Sequence, residues 1–258
     1  MTPDLTRLLA TRGWATCAVG QDASDWIAAA RAAGLRALAD PEMRARWLQC
    51  EGTWFVGVDA LPNGADGSLD GVPLPLAVAA ILAPFGALHR AQLSVVFPGY
   101  PRPRAGESAA AFSYRLRRDA AHVDGITAEG PDRRRNVTEP HGIILGLPLS
   151  GAAPGSSPLV VWEGSPAVMA AALRQAHEGT PERAVDVTEV YVAARRRVFE
   201  TCRRVAIVAA PGEMVLLHRH ALHGIAPWTC GQEAEPRMIA YFRPLMPGGL
   251  ENWLVSEA

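Results

Sequence analysis

Gly212-Glu-Met-Val-Leu-Leu-His-Arg-His-Ala-Leu-His-Gly-Ile225 decides the fold. A glycine turn opens it, the apolar run from Met214 to His218 reads as a strand, and a histidine followed by glycine closes it. Working outward, the same texture recurs. Gln92 to Phe97, His141 to Leu149, Leu159 to Trp162, Val205 to Ala209 and Met238 to Arg243 are short β-type runs separated by Gly and Pro. Many short strands with turn signals between them predict a sandwich or barrel.

Residues 1–90 read mainly as helical support. Ser24 can cap a helix whose buried stripe is Trp26, Ile27, Ala30 and Leu38, and Pro41 stops it. Shorter helices are expected from Pro41 to Leu48 and from Leu74 to Ala83. Thr53 to Val58 reads as a strand, and Pro62 to Gly71 as a turn-rich stretch. A helical insertion from Pro166 to Arg204 interrupts the β region 91–247. Val190, Ala194, Val198 and Cys202 form its apolar stripe, and Thr188 is its expected cap. The fold class is mainly β with flanking helices.

A chain of 258 residues fits one elaborated domain, 1–258. Its 49% hydrophobic and 20% charged residues are ordinary for a soluble globular protein. All 25 basic residues are arginine, in clusters such as Arg133–Arg135 and Arg195–Arg197. The 26 acidic residues balance them, and no stacking aromatics interleave, so no nucleic-acid partner is expected. Cys17, Cys50, Cys202 and Cys230 are scattered as reduced thiols would be. The N-terminus lacks the pattern of a signal peptide, and the apolar run Leu74 to Leu88 is too short for a bilayer. A cytoplasmic protein with no membrane partner is the expectation.

The chemistry concentrates in His122-Val-Asp124 and the distal histidines. Residues i and i+2 of a strand point to one side, so His122 and Asp124 can face one ion, and Gly125 lets the chain turn away. Two imidazoles and a carboxylate can occupy one face of an octahedral metal and leave the other open, as in non-haem Fe(II) oxygenases. His218, His220 and His223 compete as the distal donor. Arg237, close after them at a strand start, suits a dicarboxylate held by the planar guanidinium fork; Arg243 is its rival.

In this order, His122-Val-Asp124, Gly164-Ser165, Gly212-Glu, Leu217-His218, Leu222-His223-Gly224 and Arg237 resemble the phytanoyl-CoA dioxygenase-like branch of the Fe(II)/2-oxoglutarate oxygenases, over about Gln92 to Pro244. The resemblance implies a double-stranded β-helix, a cupin-like jelly-roll barrel with iron at its mouth. It implies His122, Asp124 and His223 as metal ligands and catalytic centre, and Arg237 on the 5-carboxylate of 2-oxoglutarate. It further implies O2 as cosubstrate and hydroxylation of a small molecule with release of succinate and CO2. Asp124 disfavours halogenation, which needs that position vacated. Three departures from the family pattern are Glu163-Gly-Ser-Pro166, Ile225 where a small hydroxyl residue is common, and a stretch from His223 to Arg237 that is a few residues longer than typical. The competing readings are a cupin-type metal-binding protein using His218, His220 and His223, and a non-catalytic jelly-roll binding module.

Overall fold

The computed structural model describes residues 1–151, 153–180 and 185–255. In chain order the strands are β1 (Trp14–Ala18), β2 (Leu48–Gln49), β3 (Trp54–Gly57), β4 (Gln92–Val96), β5 (Ile126–Glu129), β6 (Arg134–Val137), β7 (Ile143–Pro148), β8 (Leu159–Glu163), β9 (Arg203–Ile207), β10 (Glu213–His218), β11 (His223–Ile225) and β12 (Arg237–Phe242). The helices are α1 (Pro3–Arg12), α2 (Ala23–Ala39), α3 (Pro41–Trp47), α4 (Leu76–Leu82), α5 (Ala109–Arg117), α6 (Ser165–Ala176), α7 (Thr188–Thr201) and α8 (Gly249–Leu254).

A seven-stranded antiparallel sheet runs β1-β10-β7-β12-β4-β3-β2, and a smaller sheet runs β11-β8-β9. They face each other across Ile144, Leu159, Val161, Val215, Leu217, Ile239 and Tyr241. This is the jelly-roll arrangement, two faced sheets whose strand order departs from chain order. It is not a closed cylinder: among the described strands, pairing ends at β1 and β2 in one sheet and at β11 and β9 in the other.

Both sheets are also covered on their outer faces. Trp26 of α2 packs with Phe55, Leu93, Leu145, Leu216 and Phe242 behind the large sheet. Trp162, Met169, Leu173, Val198 and Trp253 fill the space behind the small one. Burial on two faces explains why β7 and β12 are buried at every residue and carry no simple apolar–polar alternation.

Two caps differ from expectation. Helix α2 starts at Ala23, and the Ser24 hydroxyl bonds back to the Gln21 carbonyl; Asp22 stands at the cap position and accepts the N–H of Leu76 instead. Helix α7 starts at Thr188, whose N–H is capped by Asp186 Oδ1 at 2.9 Å. The Thr188 hydroxyl is spent on Arg135 N–H at 2.7 Å, which ties α7 to β6. The insertion is thus two helices, α6 and α7. Among the described residues no helix is long and apolar enough to cross a membrane.

Candidate metal centre

The segment bearing His122 arrives beside β11 through a pair of reciprocal backbone bonds. His122 N–H donates to His223 O at 2.8 Å, and His223 N–H donates to His122 O at 3.0 Å. Such a pair brings two α-carbons to about 5.5 Å. The imidazole centroids are accordingly 4.6 Å apart. Strand alternation was the expected device for His122 and Asp124, but this segment belongs to no regular strand: His122 makes an isolated bridge, and Asp124 lies in the turn that follows.

Two glycines make the approach possible. A Cβ at Gly224 would sit 2.0 Å from the Asp119 carbonyl oxygen, and one at Gly125, where φ is +79°, would sit 1.8 Å from that of Glu139. Each glycine immediately follows a candidate ligand, so any other residue there would push the ligand segments apart. Between the ligands, buried Val123 donates its N–H to Tyr191 Oη of α7 at 3.1 Å. Just upstream, Arg204 grips Asp119 through two bonds of 2.8 Å. The helical insertion and β9 therefore hold the loop that carries His122 and Asp124.

The two histidines are oriented by the same device. His122 Nδ1 lies 3.0 Å from Ala120 O, and His223 Nδ1 lies 3.0 Å from Ala221 O. A carbonyl can only accept, so each Nδ1 carries a hydrogen, and in the neutral ring the lone pair is left on Nε2. These Nε2 atoms converge on Asp124 Oδ1, at 3.0 Å from His122 and 3.6 Å from His223. One ligand atom from each residue lies within 4.8 Å of the others, the sole such His/Cys/Asp/Glu group among the described residues.

His218 and His220 lie apart from this centre. His218 Nδ1 accepts the His220 N–H, the two rings lie tilted with centroids 5.4 Å apart, and His220 meets the Trp253 indole edge-on at 4.2 Å. The three-histidine alternative is not assembled.

Electrostatics sharpen the site. Burial alone would raise the Asp124 pKa, yet hydrogen bonding to His122 and the charges of His223, His122 and Arg243 hold it well below the usual carboxylate range. Desolvation by the surrounding protein also opposes charge on His122, but the hydrogen bond and charge of Asp124 prevail and its pKa is raised. For His223, burial and the nearby His122 prevail over Asp124 and bring the pKa down to about 4. A raised pKa means that His122 keeps its proton to higher pH, and that proton occupies a lone pair a metal would need. Metal affinity is therefore expected to rise about tenfold per pH unit up to the His122 pKa and then level off. Anaerobic Fe(II) titrations over a pH series test this; a flat profile across the imidazole range would refute it.

The triad opens on a cavity of 210 Å³ walled by Val56, Val58, Ile144, Leu159, Leu217 and Ile225. Tyr241 and Arg243 of the β12 end also line it. Arg243 Nη1 approaches Asp124 Oδ2 at 3.5 Å, an outer partner for that carboxylate that the sequence did not reveal. Arg237 lies six residues back along β12, roughly 20 Å at strand spacing. By alternation it shares the inward face of Ile239 and Tyr241. It lines a separate cleft of only 10 Å³, which shares Leu159 and Tyr241 with the triad cavity. Arg237 is 3% exposed, and its Nε and Nη2 have no hydrogen-bond partner.

No family model matches the sequence, and no curated protein matches it. Among solved structures the chain is similar to the non-heme alpha ketoglutarate dependent carbocyclase SnoK from nogalamycin biosynthesis, at TM-score 0.55 and 16% identity, covering 99% of this chain and 92% of that one. It is also similar to AviO1 from Streptomyces viridochromogenes, at TM-score 0.50 and 17% identity, covering 95% of each chain. A third is EctD from S. alaskensis with bound Fe, at TM-score 0.50 and 17% identity, covering 94% of this chain and 75% of that one. These likenesses establish a shared fold, and the jelly-roll expectation stands.

Proposed function

We propose that the protein is an Fe(II)- and 2-oxoglutarate-dependent dioxygenase that hydroxylates a small molecule and releases succinate and CO2. The observation that carries this reading is the convergence of His122 Nε2, His223 Nε2 and an Asp124 oxygen at the wall of one cavity, with both Nδ1 atoms already committed. Two neutral nitrogens and one carboxylate suit ferrous iron and leave coordination positions open. SnoK is named for dependence on the same keto acid, and an EctD structure holds iron.

The cosubstrate also fits residues on this chain. A guanidinium buried with two unmatched N–H groups costs several kcal/mol unless an anion meets it. Arg237 has that deficit, whereas Arg243 is partly exposed and already faces Asp124. Arg237 is therefore assigned to the far carboxylate and Arg243 to orienting Asp124. Iron, 2-oxoglutarate and O2, when bound, supply the oxidising chemistry.

The chain's own contribution is placement. His122 and His223 present preset lone pairs, Asp124 adds the negative charge, and the aliphatic wall gives the cavity beside them an apolar lining. A second cavity of 260 Å³ adjoins the first, sharing Val58, Gln92, Tyr241 and Arg243 and reaching Arg90, Glu139 and His141. We assign it to the substrate; its size suits a small molecule. Anaerobic addition of Fe(II) and then 2-oxoglutarate should give a visible charge-transfer band. Admission of O2 should convert the keto acid to succinate even without substrate. Iron binding with neither band nor succinate would leave a plain metal-binding jelly roll.

A further inference from the structure

Arg237 is not the only orphaned donor at its end of the sandwich. Tyr100 is 2% exposed and its phenol oxygen also has no partner. The ring sits in a cluster with Cys50, Val96, Ile225 and Trp228. Val96 lies directly opposite Arg237 in the β4–β12 register, so Tyr100 belongs to the same buried cluster as the cross-strand neighbour of that arginine. Its position is fixed: the Trp228 N–H donates to the Tyr100 carbonyl at 2.7 Å, and the Trp54 ring meets it edge-on at 5.6 Å. Ile225, in the same cluster, has no hydroxyl to offer.

A carboxylate brought into so dry a place needs more than one donor. The Nε–Nη2 edge of a guanidinium satisfies one lone pair on each carboxylate oxygen and leaves further acceptor capacity. A phenol beside it supplies an O–H for one of those sites. Burial, and then the neighbouring Cys50, push the Tyr100 pKa far up against the pull of Arg115, Arg104 and Arg237, so the hydroxyl keeps its proton.

We propose that Tyr100 Oη–H is the second donor to the far carboxylate of 2-oxoglutarate, beside the Arg237 fork. The assignment rests on the oxygenase reading above. Tyr100 is here a cosubstrate-binding residue; the oxidation itself does not involve it.

Tyr100→Phe keeps the ring and its packing on Trp54 and removes one hydroxyl. Fe(II)-loaded wild type and variant are titrated anaerobically with 2-oxoglutarate, and in parallel with pyruvate, which chelates through the same keto-acid end but lacks the far carboxylate. The dissociation constant for 2-oxoglutarate should rise about tenfold or more, as expected for a lost hydrogen bond to a charged group. The constants for pyruvate and for Fe(II) itself should not move. Unchanged 2-oxoglutarate affinity overturns the proposal, and an equal loss for pyruvate overturns it too, by showing a merely structural role. Failure of the wild type to bind 2-oxoglutarate removes the oxygenase reading itself, a result distinct from either.

Discussion

Asp124→Ala is expected to abolish succinate formation and to weaken Fe(II) binding by more than about 100-fold. Loss of a residue that only supports a ligand typically costs about 10- to 100-fold in metal affinity or activity, and Asp124 is placed to be a ligand itself. It is also the point at which the two Nε2 atoms converge and the carboxylate that faces Arg243. Removing it leaves two neutral imidazoles and a nearby guanidinium, a set that repels a dication where the native set attracts one. The fold should survive, because Val123 stays pinned to Tyr191 and the reciprocal backbone bonds of His122 and His223 involve no carboxylate. Far-ultraviolet circular dichroism and iron titration on the same sample separate the two effects. Wild-type turnover in a folded Asp124→Ala protein would remove the triad from the mechanism.

The strands that frame the site were legible because each is a short apolar run stopped by Gly or Pro; all six predicted runs of the β region coincide with strands to within a few residues, whereas the short β11 that carries His223 was not among them. The pieces that were not legible are those whose stability is tertiary. Strand β1, with its polar Thr16 and small Ala15 and Ala18, exists through pairing with β10. The β5–β6 hairpin carries Arg134, Arg135 and Asn136, a polar stretch with no apolar run to mark a strand, and is held at Arg135 by Thr188 and Val187 of the insertion.

The site divides in the same way. His122, Asp124 and His223 could be proposed from residue type and order, and the structure brings them together. The means of their convergence could not be foreseen, since it depends on bonds between segments about a hundred residues apart. Nothing in the local sequence marks Arg243 as the neighbour of Asp124, or Tyr100 as an unmatched donor. Those facts belong to the register of β12 and to the packing of one loop over the sheet.

Arg237→Met carries the second large effect, and its two consequences have opposite signs. In the cosubstrate-free protein the buried guanidinium has unmatched Nε and Nη2, and leaving such groups unpaired costs about 1–3 kcal/mol or more. A thioether chain of similar length fills the same space without that penalty, so the variant's thermal midpoint without ligand should be equal or higher. Binding of 2-oxoglutarate should fall by more than about 100-fold, because removing one partner of a buried charge pair typically costs about 3–5 kcal/mol. The stabilisation that a saturating ligand confers on the folded state disappears with it. Thermal unfolding of the Fe(II)-loaded proteins with and without 2-oxoglutarate reads both effects in one experiment. Arg243→Met provides the contrast: it should disturb iron binding through Asp124 yet retain the shift caused by 2-oxoglutarate. If that shift instead survives in Arg237→Met and vanishes in Arg243→Met, the anchor sits at the metal end of β12, and Arg237 is left a buried cation whose counter-ion must be sought elsewhere.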